Sequence, residues 1–227
     1  MKMRSSIVAA GAAAFILALS PGARAQDEAW GPGISIDGYI APVWDAAVTN
    51  VTNPQSQNRL RGLVGLSALA NFGPCAAGGV VEGFPGVLGN GRLTVGAVAG
   101  WQPRVGTHWF QVLGEAGAER FTDVGGDLFS TTTPHEIWLS YLGARIGVSE
   151  TFGRGGHFVL GGWLFVRKDL DEATATNNGA GLFSSGPATD YRVGGTSAGA
   201  TLRFGFRFDR RRPAGDDQPP EVAVAAN

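Results

Sequence analysis

An all-β fold, an eight-stranded antiparallel up-and-down transmembrane β-barrel, is predicted by three features of the sequence. The first is strict alternation from Ala198 to Phe208. Ala198, Ala200, Leu202, Phe204, Phe206 and Phe208 share one side; Gly199, Thr201, Arg203, Gly205 and Arg207 share the other. Strand side chains change face at every residue, so one face is apolar and the other small, polar or cationic. That ribbon suits a strand with acyl chains outside and a narrow polar lumen inside. The second feature is that similar ribbons recur along the chain. The third is that long and short connections between them nearly alternate, as they do in single-chain barrels.

The N-terminus predicts export. Lys2 and Arg4 precede an apolar run from Ile7 to Leu19, then Pro21 and Ala23-Arg24-Ala25. A positive start, a short apolar middle and an A-x-A site make a secretory signal peptide. The run is shorter than the ~20 apolar residues that cross a bilayer as a helix. Cleavage is expected after Ala25, and no Cys follows it to carry a lipid. The division is then 1–25 signal peptide, 26–33 periplasmic lead, 34–208 barrel and 209–227 disordered periplasmic tail.

The first strand is Ile34 to Trp44, with Ile34, Ile36, Ile40 and Trp44 opposed to Ser35, Asp37, Tyr39, Ala41 and Val43. Pro42 interrupts it, and proline withholds a ladder donor, so it belongs at the outer end or at a bulge. A polar loop, Asp45 to Asn58, leads to the second strand, Leu60 to Phe72. Gly73-Pro74 turns into the third, Cys75 to Phe84, which carries Glu82. Asn90-Gly91 has the composition of a hairpin turn before the fourth, Arg92 to Trp101. The fifth, His108 to Phe121, sets Phe110, Val112, Ala116 and Ala118 against Gln111, Glu115, Gly117 and Glu119. After a loop from Thr122 to Pro134, the sixth, Glu136 to Val148, sets Trp138, Leu142, Ala144 and Ile146 against Tyr141, Gly143, Arg145 and Gly147. A turn from Ser149 to Gly156 precedes the seventh, His157 to Arg167. The longest loop, Lys168 to Asp190, precedes the eighth, Tyr191 to Phe208. An even count puts both ends of the barrel on one side, the periplasmic one.

The composition agrees. Glycine, 36 of 227 residues, is well above its usual share of about 7%, and mean hydropathy is +0.03. That balance fits a chain with half its strand residues facing lipid. A net charge of −1 gives no pull toward nucleic acid. Cys75 is the only cysteine, which excludes an internal disulfide, a C-x-x-C motif and a cysteine zinc cluster.

The closing strand resembles the last strand of bacterial outer-membrane barrels, in which an aromatic-x-aromatic ending with an upstream glycine is the assembly signal. Gly205, Phe206 and Phe208 match that pattern; the chain departs from it by continuing past the final aromatic. The resemblance implies the outer membrane of a diderm bacterium as location, with barrel-assembly machinery and outer-membrane lipid as partners. By pattern, Ile34 to Phe208 is similar to the small OmpA/OmpX-like barrels. That likeness implies a protein that is mostly scaffold with variable outer loops.

Eight charged residues fall on inward registers: Asp37, Glu82, Glu115, Glu119, Arg145, Arg167, Arg203 and Arg207. Inside a barrel just wide enough for side chains, such charges must pair. They form either a polar plug or a narrow conduction path. Trp44, Phe72, Trp101, Phe110, Trp138 and Phe158 fall near strand ends, as the aromatic girdles of membrane barrels do. No catalytic residue, cofactor or metal is assigned. His108, His135 and His157 lie in no His-x-Ser motif, and HExxH is missing from the sequence. Asp169, Asp171 and Glu172 are the one acid cluster open to a divalent cation. The reading is a non-enzymatic scaffold with exposed loops; the alternatives are a narrow pore and a lipid-modifying enzyme.

Overall fold

The computed structural model describes residues 33–51, 59–84, 91–105, 108–122, 124, 136–152, 157–177 and 188–209. The proposed signal peptide, the tail beyond Asp209, Asn90 and His135 lie outside the described residues.

Twelve strands are present among the described residues: β1 (Gly33–Asp45), β2 (Val48–Asn50), β3 (Arg59–Phe72), β4 (Cys75–Phe84), β5 (Gly91–Trp101), β6 (Arg104–Val105), β7 (His108–Thr122), β8 (Ile137–Phe152), β9 (Phe158–Asp169), β10 (Ala173–Asn177), β11 (Thr189–Val193) and β12 (Thr196–Asp209). Eight of them pair antiparallel in the order β5-β4-β3-β1-β12-β9-β8-β7, and β5 also pairs with β7, which closes the cylinder. Closure leaves no bare edge on the barrel strands.

The registers fix its shape. Partners followed around the wall run from Ser35 to Leu69, Gly78, Val98, Glu115, Gly143, Arg167, Ser197 and back to β1 at Asp45. The return from 35 to 45 is a shear of ten residues. With eight strands at the usual rise and spacing, it sets a tilt of about 40° and a backbone radius of roughly 8 Å. Such a cylinder has room for side chains and little else.

One end carries the tight connections. At Gly73-Pro74, φ is +60° at the glycine and is held negative at the proline. That is the sign pattern of a type II′ turn, whose twist matches the flanking strands. Short β6 folds back on β7, pairing Arg104 with Trp109. The other end, the loop end, carries a second sheet in the order β10-β11-β2. The expected eighth strand is therefore two strands. It breaks at Gly194-Gly195, where φ of Gly194 is +117° and a Cβ on Gly195 would lie 2.5 Å from the Ala46 carbonyl. There the Gly194 N–H donates to Ala47 O (2.7 Å), and the Gly195 N–H donates to Asp169 Oδ2 (2.9 Å). This lets β11 leave the wall and join β2, and the two loops expected to be irregular supply β2 and β10. Ala47, Val48, Phe121, Val124, Leu139, Ala175 and Val193 form a small apolar core beneath this sheet.

Pro42 stands near the loop end of β1 without a bulge. Its pairing with β3 is continuous, whereas assigned pairing with β12 passes from Ile40↔Leu202 to Val43↔Gly199. The missing donor thus costs one local gap in one ladder. Strand β8 runs on to Phe152, four residues beyond the expected end.

Glycines on the inner face make room for rings. A Cβ on Gly65 would meet the Tyr39 ring at 2.4 Å; one on Gly147 would meet Trp163 at 2.3 Å; one on Gly199 would meet Phe165 at 2.8 Å. Each ring lies across the backbone of a neighbouring strand, a use of strand glycine that a side chain forbids. Gly62, on the outer face of the same strand as Gly65, has open space around it. Gly65→Ala should therefore lower the unfolding midpoint, by about 1–3 kcal/mol as overpacking does, while Gly62→Ala should leave it nearly unchanged. Denaturant titration of the refolded protein followed by tryptophan fluorescence checks the contrast.

Candidate functional site: the ionic interior

Inward positions converge because alternation and shear leave them no other place. At mid-height, four charges from four strands form a ring: Glu82 (β4), Glu115 (β7), Arg145 (β8) and Arg167 (β9). Arg145 Nη2 lies 2.6 Å from Glu82 Oε1, and its Nε lies 2.7 Å from Glu115 Oε2. Arg167 pairs with Glu82 through Nη1 and with Glu115 Oε1 through Nη2 at 2.9 Å. Each guanidinium touches both carboxylates. The Tyr39 hydroxyl donates to Glu82, and the Tyr141 hydroxyl donates to Glu115 at 2.5 Å. Arg145 also faces Trp163 (5.1 Å to the ring centroid), and Arg167 faces Phe165 (4.8 Å). All four ring members are buried, with Arg145 at 0% exposure.

Toward the turn end the chain of contacts is polar and largely neutral. Arg203 Nη2 lies 2.5 Å from Asp37 Oδ2, and its Nη1 donates to Gln111 Oε1 at 2.6 Å. The same oxygen accepts from the Trp163 indole at 2.5 Å. Gln111 donates to Gln102, and Gln102 to Asn71, both at 2.8 Å. Below them the Arg207 guanidinium stacks 3.6 Å from the centre of the Trp109 ring.

Toward the loop end, Arg92 binds Asp45 at 3.0 Å and also Glu119. Arg61 reaches Asp45 at 3.3 Å. Asp169 is buried at the end of β9, where it accepts the Gly195 N–H. The interior therefore holds two acids, Asp45 and Asp169, beyond the four read from sequence, and two further arginines, Arg61 and Arg92.

The structure places all eight sequence-derived charges inside, in three tiers: Asp37, Arg203 and Arg207 low; Glu82, Glu115, Arg145 and Arg167 at mid-height; Glu119 high. Trp44, Phe72, Trp101, Phe110, Trp138 and Phe158 all face outward and are exposed. Trp44 and Trp138 stand at the loop end and the other four at the turn end. Gly205, Phe206 and Phe208 lie in β12, with both phenylalanines on the outer face and Phe206 beside Phe158. The surface acid cluster needs correction. Asp169 points into the barrel, because it shares the inward parity of Arg167, and only Asp171 and Glu172 are exposed. Glu172 lies 3.7 Å from Arg192.

Missed from the sequence were Tyr39 and Tyr141 as carboxylate partners, Arg92 with Asp45, and the Gln111–Gln102–Asn71 chain. Tyr39, Tyr141 and Gln111 had the right parity. Arg92 and Asp45 stood at strand ends, where parity is easily lost.

The outer face is the reverse: Ile36, Ile40, Val64, Leu164, Leu202 and Phe204 are each about half exposed, and they belong to one continuous apolar belt. A soluble monomer does not present such a belt to water. The architecture is that of the small eight-stranded membrane barrels. No protein-family model and no curated protein matches the chain. Among solved structures the chain is similar to the outer membrane protein OprG of Pseudomonas aeruginosa, at 16% identity and TM-score 0.47 over 81% of this chain and 98% of that one. It is also similar to Neisserial surface protein A, at 13% and 0.45 over 76% and 96%. A third is Ail of Yersinia pestis, at 14% and 0.43 over 78% and 99%. These likenesses are distant, and the architecture rests on the registers above.

Replacing Glu115 by Leu leaves Arg145 and Arg167 each with half of its carboxylate contacts in a buried site. Removing one partner of such a network costs about 3–5 kcal/mol. The unfolding free energy in detergent micelles should fall by that amount; an unchanged or raised value would mean that Glu115 does not hold these arginines.

Proposed function

We propose that this chain is an outer-membrane barrel of a diderm bacterium that works as a closed, non-enzymatic scaffold, presenting its loop-end sheet outside the cell. The observation that carries the reading is the mid-height ring of Glu82, Arg145, Glu115 and Arg167. It spans the interior from β4 to β9 with every member buried. A charged network of this kind blocks a lumen already filled by Tyr39, Trp163, Phe165 and Leu113.

The outer belt supports the membrane placement. Its aromatic margins run from the level of Ile34 to that of Trp44 on β1, ten residues along a strand tilted about 40°. At the usual rise that is about 25 Å, the height of the apolar band of outer-membrane barrels. The cleavable leader read from Lys2 to Ala25 and the Gly205, Phe206, Phe208 strand support delivery by the export and barrel-assembly machinery.

A scaffold role also fits the histidines. His108 faces outward at the turn end, 3.8 Å from Glu150, and His157 Nδ1 lies 3.1 Å from the Arg207 carbonyl.

Two measurements test the reading. Leu164→Arg, at mid-belt, should cost about 2–4 kcal/mol in lipid vesicles, and Phe208→Arg, at the margin, about 1 or less. Equal costs would remove the membrane placement. Planar-bilayer recording of the refolded protein should show no stepwise conductance; regular steps would favour the narrow-pore alternative over the plug.

A further inference from the structure

Apart from the Cys75 thiol at the turn end, the outward positions of the eight barrel strands hold four titratable side chains among the described residues. Two, His108 and Glu150, face each other at the turn end. The other two, Arg120 and Lys168, are both cations, both at the loop end, and both on the same side of the cylinder. Arg120 is opposite Trp138 across β7 and β8, and Lys168 is opposite Leu142 across β8 and β9. Ser140, on the outer face of β8 between those two positions, and Thr196, opposite Lys168, make this sector of the rim polar. On the other side, over β1 and β3, the same rim is Trp44 and Leu60.

The two cations differ in how they are held. Arg120 Nε lies 2.6 Å from Glu136 Oε1, and the same oxygen accepts the Trp138 indole N–H at 3.0 Å. Glu136 thereby pairs with the guanidinium on its inner-nitrogen side, and the terminal nitrogens have no partner among the described residues. Lys168 is exposed and has no ionic or hydrogen-bond partner among them.

We propose that this sector binds the phosphate groups of a phosphorylated lipid in the leaflet at the loop end, Arg120 taking one phosphate and Lys168 another. The inference rests on the outer-membrane reading above and deepens it. Four residues along β8 and one strand spacing on each side separate the two backbones by about 16 Å. That spacing suits two phosphoryl groups on one headgroup or on neighbours better than a single anion held by both. A terminal guanidinium fork and an ammonium are the two donors proteins use for phosphate. Position supports it as well. Cations cost little at a membrane margin, so margin cost alone would allow them at either rim, yet among the described residues the only charged side chains on outward strand positions at the turn end are the facing His108 and Glu150. The asymmetry across the barrel matches a membrane whose two leaflets differ in phosphate.

The test uses the full-length mature protein refolded into phosphatidylcholine vesicles doped with bisphosphoryl lipid A or with its phosphate-free derivative. After detergent extraction and washing, retained glycolipid is measured by mass spectrometry, and gel mobility with and without boiling reports folding. The wild type should retain the phosphorylated form in preference. Lys168→Gln should lower that preference about fivefold, the equivalent of roughly 1 kcal/mol for one cation at a charged surface. Lys168→Arg should keep it. Equal retention of the two lipids, or a preference untouched by Lys168→Gln in a normally folded barrel, overturns the proposal. Failure to insert into either vesicle instead overturns the membrane reading on which it stands.

Discussion

Glu82, Arg145, Glu115 and Arg167 are brought together from four strands, and each balances charge that would otherwise be buried alone. Each carboxylate is bound by two guanidiniums and one tyrosine hydroxyl, inside a cylinder of roughly 8 Å radius. Buried ion pairs of this kind contribute little to stability against an apolar replacement, because desolvation offsets the attraction. Their larger effect is on register. If β8 slipped by one residue, Arg145 would turn into the outer belt at a cost of about 2–4 kcal/mol. Glu82 and Glu115 would then lose a partner in the interior, which costs more still. The network penalises every one-residue misalignment among β4, β7, β8 and β9.

That ring can exist only because the wall beside it is thin. Tyr39 reaches Glu82 by lying over Gly65, and the Trp163 ring that faces Arg145 lies over Gly147. With any side chain at those glycines, the aromatic rings would be pushed toward the axis and the arginines displaced. The high glycine content is thus tied to the interior aromatics. Eight strands and a shear of ten residues leave too little width for arginines, rings and Cβ atoms at every position. Glycine is the residue that resolves the crowding.

Much of this was legible in the sequence, for a definite reason. In a strand, parity assigns a face, and no other information is needed to place Arg145 or Glu115 inside and Leu142 or Val112 outside. Parity gives no partners. That Arg145 bridges Glu82 and Glu115, and that Arg203 meets Asp37 and Gln111, follows from the shear, which only the long-range registers reveal. Parity also fails where strands end. Asp169 follows Arg167 inward by the same two-residue step, but Asp-Leu-Asp-Glu reads as a loop, so its place beneath Gly195 was hidden. The break at Gly194-Gly195 was hidden too. Two glycines in a glycine-rich strand look like more of the same until the chain is seen to leave the wall there.

The two ends of the molecule follow from one asymmetry in its connections. Tight turns such as Gly73-Pro74 bring strands together and stop, so the turn end finishes in a rim of rings and a cation stacked on Trp109. The connections at the loop end are long enough to pair with one another. β1, β9 and β12 each continue past the belt into β2, β10 and β11, which pair there in registers shifted from those of the wall. The Phe121 and Leu139 side chains close the interior from above, and the Ala47, Val48 and Val193 side chains seat the upper sheet on them. The outer sheet is therefore set by the same strands that the ionic ring aligns. A change in the buried charges would reach the exposed surface through β9, whose Arg167 sits in the ring and whose Asp169 holds the Gly195 kink.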